Sequence, residues 1–303
     1  MGKIILFYKY VALDDLQEIL KRQRELCIRL SLKGRIILAT EGVNGTLGGS
    51  TDSIEEYKQV MNDHHYFSGI DFKESIGDAD RFPRLRIVIK DEIVRLGISP
   101  SKLSAEECGK HLEPYEAHEL LTSKPDNLVI LDARNEYESA IGCFEESIKP
   151  AINTFREFPS YIEKNKALFE NKDVFMYCTG GVRCERASAY LKSLGIANNV
   201  YQLKGGIHRY LEQYADGFFK GKNYVFDARV ALDSDGTIIS NCKNCNKLCD
   251  NYTNCVNTKC NKQVILCASC SISSGNSCSD ECKLLIDSGQ VKTRVLPKKR
   301  VFA

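Results

Sequence analysis

Short runs dominated by apolar, β-branched and aromatic residues or flanked by turn residues at Ile4–Tyr10, Arg35–Leu38, Asn44–Leu47, Ile70–Lys73 and Leu85–Ile89 read as strands. Between them, Leu13–Leu30 and Thr51–Met61 return an apolar side chain every three or four residues, as amphipathic helices do. The resulting order, β-α-β-β-α-β with one strand to spare, predicts a ferredoxin-like (acylphosphatase-like) α+β domain over residues 1–98. In that reading Glu41-Gly42-Val43-Asn44-Gly45 supplies the hairpin, and Thr51 or Ser53 caps the second helix.

The pattern loosens between Ser99 and Leu120, where Pro100 and Pro114 interrupt it, and residues 99–114 read as a linker. Beyond it, Leu128–Leu131 and Val174–Tyr177 are short and almost wholly apolar, as strands covered on both faces must be. Arg183–Leu194 follows as a helix with Ala187, Tyr190, Leu191 and Leu194 on one face and Gly195 as its stop, and Val200-Tyr201 gives a further strand. Strands alternating with helices predict a parallel α/β domain over residues 115–215. From Ser240 the composition changes, and nine of the 14 cysteines fall between Cys242 and Cys282, marking residues 216–303 as a separate cysteine-rich region.

Composition narrows the function classes. With 42 basic against 40 acidic residues, the chain is not a nucleic-acid binder working through bulk charge, so any basic surface is local. The start lacks the long apolar run of a secretory signal, Leu6 stands where a myristoylation motif needs Ser or Thr, and no stretch is apolar enough to span a bilayer. These features predict a cytoplasmic protein without a membrane partner, in a reducing compartment where cysteines serve metals and catalysis.

Catalysis points to Cys178, which ends an apolar strand, while Arg183 opens the next helix. The loop between them, Thr179, Gly180, Gly181 and Val182, can turn its backbone amides inward as an anion cradle. A helix N-terminus and such amides favour thiolate over thiol, and the two glycines permit the tight path that this requires. A lone cysteine at a strand end is most often core, but two glycines and a terminal arginine at this spacing set Cys178 apart. Asp132 and Arg134 end the preceding strand and read as support for the loop. Cys184 has two readings, a resolving thiol for an oxidised Cys178 or a small apolar residue in the first helical turn.

In the tail, Cys242, Cys245, Cys249, Cys255, Cys260, Cys267, Cys270, Cys278 and Cys282 are spaced so that neighbouring sulfurs can share an ion. Structural zinc, one or two ions, is expected; eight of the nine would complete two sites of four thiolates and leave one spare, with Cys242/Cys245 and Cys267/Cys270 as knuckles in an interleaved arrangement. A disulfide knot would need an oxidising compartment. Two local basic clusters, Arg81, Arg84 and Arg86 near the fifth strand and Lys298, Lys299 and Arg300 at the end, are candidate RNA contacts.

The loop Cys178 to Arg183, the strand Val129-Ile130-Leu131-Asp132-Ala133-Arg134 and the turn Leu203-Lys204-Gly205-Gly206 resemble the rhodanese family. The six-residue loop has the sulfurtransferase length, which the related phosphatases exceed. Adding Thr40-Glu41-Gly42-Val43-Asn44-Gly45-Thr46, Cys184-Glu185 and Tyr252-x2-Cys255-x-Asn257-x2-Cys260-Asn261, nearly the whole chain resembles the TrhO-like tRNA uridine hydroxylase family. That resemblance implies tRNA as substrate, molecular oxygen as co-substrate, 5-hydroxyuridine at the wobble position as product, and an essential loop cysteine. Residue chemistry alone stops at sulfur transfer, and the rhodanese resemblance implies the corresponding alternative, a sulfurtransferase carrying a persulfide on Cys178. A zinc-knuckle adaptor with an idle rhodanese domain is the remaining reading. The additional Cys242, Cys245 and Cys270 depart from simpler relatives and leave the metal count open.

Overall fold

In the computed structural model, which describes residues 2–227, 229–233, 236–260 and 262–295, the opening strand-like runs become a five-stranded sheet. Strands β1 (Gly2–Tyr10), β2 (Lys33–Ala39), β3 (Gly42–Ser50), β4 (Lys73–Ile76) and β5 (Leu85–Ile89) lie in the order β4-β1-β3-β2-β5. Every neighbouring pair is antiparallel except β2 and β5, so the spare strand extends a ferredoxin-like sheet at one edge. Helices α1 (Leu16–Arg29) and α2 (Thr51–Asp63) cover one face, where Ile5, Phe7, Ile36 and Leu47 meet Leu26, Ile54 and Tyr57 in a single core. Residues of the opposite parity, Leu6, Tyr8, Arg35 and Thr46, stand on the other face and are at least partly open.

Four local expectations shift. Helix α1 begins at Leu16 and not Leu13, because the Asp15 side chain accepts the Glu18 amide and caps it there. Ser50, not Thr51 or Ser53, caps α2 by accepting the Ser53 amide. The hairpin turn is Thr40-Glu41, since Ala39 already pairs with Gly42; Asn44 and Gly45 lie inside β3, where a Cβ on Gly45 would stand 2.4 Å from the Phe7 ring. The fourth strand is Lys73–Ile76 and not Ile70–Lys73, because Ile70 and Phe72 turn into the core before pairing with β1 starts at Lys73.

The second domain is built on a parallel sheet ordered β6-β10-β9-β7, from β6 (Lys110–Leu112), β7 (Leu128–Asp132), β9 (Asp173–Tyr177) and β10 (Asn199–Leu203). Helices α3 (Pro114–Ser123), α4 (Glu136–Ser139), α5 (Phe158–Lys164), α6 (Val182–Ser193) and α7 (Gly206–Gln213) surround it. Strand β8 (Gly142–Phe144) pairs outside this sheet, with β11 (Phe219–Tyr224), which also pairs with β12 (Ala231–Asp233). The segment 99–114 is therefore not a free linker. Lys110–Leu112 is an edge strand, and Leu96 and Leu103 fill the same core as Leu131, Val174 and Leu191. Likewise 219–224 is tied to the second domain through β8, so the cysteine-rich unit proper begins after β12.

That unit holds β13 (Tyr252–Asn254), β14 (Gln263–Ile265), α8 (Ala268–Ser273) and α9 (Asp280–Asp287) around a core that is largely sulfur. It docks through a Tyr252 hydroxyl that donates to the Tyr137 carbonyl and a Lys222–Asp250 ion pair at 2.9 Å. Between the first two domains, Glu41 of the hairpin turn meets Arg186 of α6 at 2.6 Å with both groups nearly buried. No helix among the described residues is long and apolar enough to cross a membrane.

Candidate active site

The apolar run of β9 carries Cys178 to the end of the parallel sheet, and α6 starts four residues later, so the chain must turn sharply over the N-terminus of that helix. Gly181 makes this turn at φ +101°. Its amide donates to the Cys178 sulfur at 3.2 Å. Although Cys178 packs among core residues, its sulfur faces the amides of the loop and not the apolar interior. Burial by itself would push the thiol up. The Cys184 thiol, the Arg183 guanidinium and the Arg183 and Cys184 amides outweigh that and bring it from 9.0 to about 6, so the thiolate predominates at neutral pH.

Gly206 secures the loop from below. A Cβ there would lie 2.5 Å from the Cys178 carbonyl oxygen and under 3 Å from the Gly180 and Gly181 nitrogens. The first amides of α7 then donate to the loop, Ile207 to the Cys178 carbonyl at 2.9 Å and His208 to that of Thr179 at 3.1 Å. The late glycine turn thus supports the Cys178 loop directly.

Arg183 does not stand alone as the cation of the ring. It makes two 2.6 Å hydrogen bonds to Glu138 of α4, a residue that the sequence did not single out, and both side chains are buried. Asp132 and Arg134 form a separate, fully buried pair, with Arg134 also donating to the Gly142 carbonyl at 2.5 Å. This pair braces β7 against β8. Cys184 is buried and its own thiol is pushed well up, first by burial and then by donating to Cys178, so it acts here as a neutral donor to the thiolate. Glu185 beside it accepts from Tyr8 at 3.0 Å and Gln202 at 3.1 Å and meets His111 at 3.0 Å. Burial would raise its carboxyl, but His111, Cys108 and Tyr8 hold it low.

The outer face of the first domain lies against the Cys178 loop. A Cβ on Gly180 would meet Leu6 at 2.6 Å, one on Gly181 would meet the Tyr8 hydroxyl at 2.7 Å, and Tyr10 donates to the Val182 carbonyl at 3.1 Å. Lys73, 1% exposed, pairs with Asp71 at 2.8 Å and holds its ammonium 5.1 Å from the Tyr8 ring centroid. Burial lowers its pKa, while Asp71 and Cys178 oppose that. From the loop an open cleft of about 1880 Å³ runs outward, with walls from all three parts of the chain, including Arg35, Arg81, Arg183, Phe226 and Asn254. Phe226 is 54% exposed with the Arg183 guanidinium 5.8 Å from its ring centroid.

Of the basic residues expected to touch RNA, Arg81 lines this cleft, whereas Arg84 and Arg86 are exposed beside it and do not line it. Lys298, Lys299 and Arg300 lie outside the described residues. The nine tail cysteines fall into two groups of four whose sulfurs lie within 4.8 Å of one another, Cys242 with Cys245, Cys267 and Cys270, and Cys255 with Cys260, Cys278 and Cys282. The two knuckles meet in the first group, and the groups alternate along the chain. Each could hold a metal ion. Cys249 belongs to neither quartet and is the spare one among the nine candidate ligands; its sulfur accepts the Asn251 amide at 3.4 Å.

Glu138, Tyr8, Lys73, Arg35 and Phe226 were not singled out from the sequence, because each reaches the site from an element remote in the chain.

Three family models match the chain: the UPF0176 acylphosphatase-like domain over residues 2–93, the rhodanese-like domain over 113–213 and the rhodanese C-terminal region over 220–283. A Corynebacterium jeikeium protein named tRNA uridine(34) hydroxylase is 39% identical, with 88% of this chain and 89% of that one aligned. One of the same name from Bacillus cytotoxicus is 35% identical over 99% of this chain and 94% of its own. Another, from Acholeplasma laidlawii, is 36% identical over 96% and 92%.

Proposed function

The chain belongs to the tRNA uridine(34) hydroxylase family, and on that premise we propose that it is an oxidoreductase converting the wobble uridine of tRNA to 5-hydroxyuridine, with molecular oxygen as co-substrate and Cys178 as its reactive group. The observation that carries this reading is a thiol lowered to about 6 at the floor of a cleft of about 1880 Å³. Small-molecule pockets usually occupy about 300–1,000 Å³; this cleft is of a size to admit part of a folded RNA. Two routes are open to a thiolate here, addition to C6 of uracil, which makes C5 nucleophilic toward an oxygen electrophile, and delivery of oxygen to C5 from an oxidised sulfur; in either, one atom of O2 enters the C5 hydroxyl and the other leaves as water, with two electrons from a reductant outside the chain. Both begin from the ionised form that the loop amides and Cys184 favour.

The residues around Cys178 divide the work. Gly181, Arg183 and Cys184 hold the negative charge, Gly206 and the first turn of α7 fix the loop, and Glu138 holds Arg183 in place. Phe226 offers an exposed aromatic face beside the loop on which a base can stack. The two cysteine quartets fit zinc in donor type and number, since four thiolates make a closed structural site. Zinc there would hold the third wall of the cleft in place and take no part in the reaction. Fourteen free cysteines suit the reducing cytoplasm, where tRNA is also found.

The test is nucleoside mass spectrometry of tRNA from cells lacking the protein, complemented with the wild type or with Cys178→Ser. Nucleosides derived from 5-hydroxyuridine should disappear in the deletion strain and return only with the wild type. Their persistence in the deletion strain refutes the reading, and robust thiocyanate formation in that case selects sulfur transfer instead.

A further inference from the structure

We propose that Arg35 and Arg86 form a phosphodiester-binding site on the outer face of the first sheet and hold the RNA backbone in line with Cys178; this rests on the tRNA reading above. The two residues are direct register partners on the parallel strands β2 and β5, so their side chains stand on the same face, one strand spacing apart. Like charges directly opposite one another destabilise a sheet unless something of opposite sign lies between them. Neither guanidinium has a hydrogen-bond or ion-pair partner among the described residues, and both are exposed. Arg35 is held below its ordinary range, first by partial burial and then by Arg86, which places the two cations within each other's field. Asp80, which lines the same cleft as Arg35, pairs with Lys33 at 3.5 Å.

The sheet register aims this pair at the chemistry. Arg86 on β5 neighbours Arg35 on β2, Arg35 neighbours Thr46 on β3, Thr46 neighbours Leu6 on β1, and Leu6 neighbours Lys73 on β4. One straight row therefore crosses all five strands. At about 4.8 Å per strand, Arg35 stands about 10 Å from Leu6. Leu6 in turn packs against Gly180 of the catalytic loop. Arg35 and Cys178 line one continuous cleft, so a single strand whose phosphates rest on the arginines has its neighbouring nucleotides directed toward the loop. Forked guanidinium groups suit phosphate oxygens, and two of them outline a site for a backbone and not for a particular base. The pair would thus set affinity and position, while the choice of base belongs nearer Cys178.

The experiment compares wild type, the double variant Arg35→Gln/Arg86→Gln and the charge-retaining Arg35→Lys/Arg86→Lys. Both side chains are at the surface, and thermal melting verifies that the variants fold. Fluorescence anisotropy with an anticodon stem-loop RNA across a salt series reads how many phosphates the protein neutralises. For single strands the slope of log affinity against log salt becomes shallower by about 0.7 for each phosphate that is no longer neutralised. The Gln variant should bind more weakly with a shallower slope and raise KM with kcat little changed, while the pH profile of Cys178 alkylation stays as in the wild type. The Lys variant should recover most of the slope. An unchanged slope and KM in the Gln variant overturns the proposal. A wild type that binds the RNA with this salt dependence but makes no 5-hydroxyuridine would count against the hydroxylase reading alone.

Discussion

Replacing Cys184 with alanine tests the electrostatics on which the site depends. Moving a thiol from 9.0 to about 6 corresponds to about 4 kcal/mol in favour of the thiolate. Burial works against that total, so the donors together supply more than the net figure, and the Cys184 thiol leads among them. A hydrogen bond to a charged group contributes about 1.5–3 kcal/mol, and about 1.36 kcal/mol shifts a titration tenfold. The midpoint for Cys178 should therefore rise from about pH 6 to about pH 7–8 in Cys184→Ala. The assay is the rate of iodoacetamide alkylation against pH, read by mass spectrometry on the peptide that carries Cys178, which separates it from the other cysteines. Only the thiolate reacts, so the wild-type rate is at its plateau above pH 7 and falls as pH drops through 6. Cys184→Ser keeps a donor and should stay near the wild-type profile. If the alanine variant titrates with the wild type, the thiolate is held by other means and the assignment of Cys184 as its donor is wrong. The native preference for the thiolate also adds stability that is complete above the ordinary thiol value near 9 and is lost as pH falls through 6.

Two further outcomes follow from the buried charges and the sulfur groups. Glu138→Gln strips a buried Arg183 of its carboxylate and should lower unfolding stability in urea by about 3–5 kcal/mol; an unchanged midpoint would mean that the pair is not buried in solution. Elemental analysis of purified protein should find two zinc ions per chain in the wild type and in Cys249→Ser, and one in Cys245→Ser or Cys260→Ser; loss of metal from the Cys249 variant would refute the division into two quartets.

Periodicity and local chemistry determined much of this protein. The strand-like runs in the first ninety residues, the apolar runs that become β7 and β9, and the loop from Cys178 to Arg183 were all legible, because each depends on residues close together in the chain. The errors at Ser50, at Thr40-Glu41 and at Lys73 arose where tertiary pairing or a cap, and not local propensity, sets an element's limits. Lys110–Leu112 was unreadable for a similar reason: three residues at a sheet edge have almost no periodicity, and their partner on β10 is some ninety residues away.

Only the tertiary structure decided what surrounds the sulfur. Cysteine spacing allowed many pairings, and folding brought Cys242 and Cys245 to Cys267 and Cys270 across twenty-odd residues. Glu138 reaches Arg183 from α4, Gly206 supports the loop from α7, and Leu6, Tyr8 and Lys73 approach from a different domain. A sequence specifies which groups can ionise, donate or stack, but the field at Cys178 is a sum over neighbours in space, and a one-dimensional pattern carries no record of those distances.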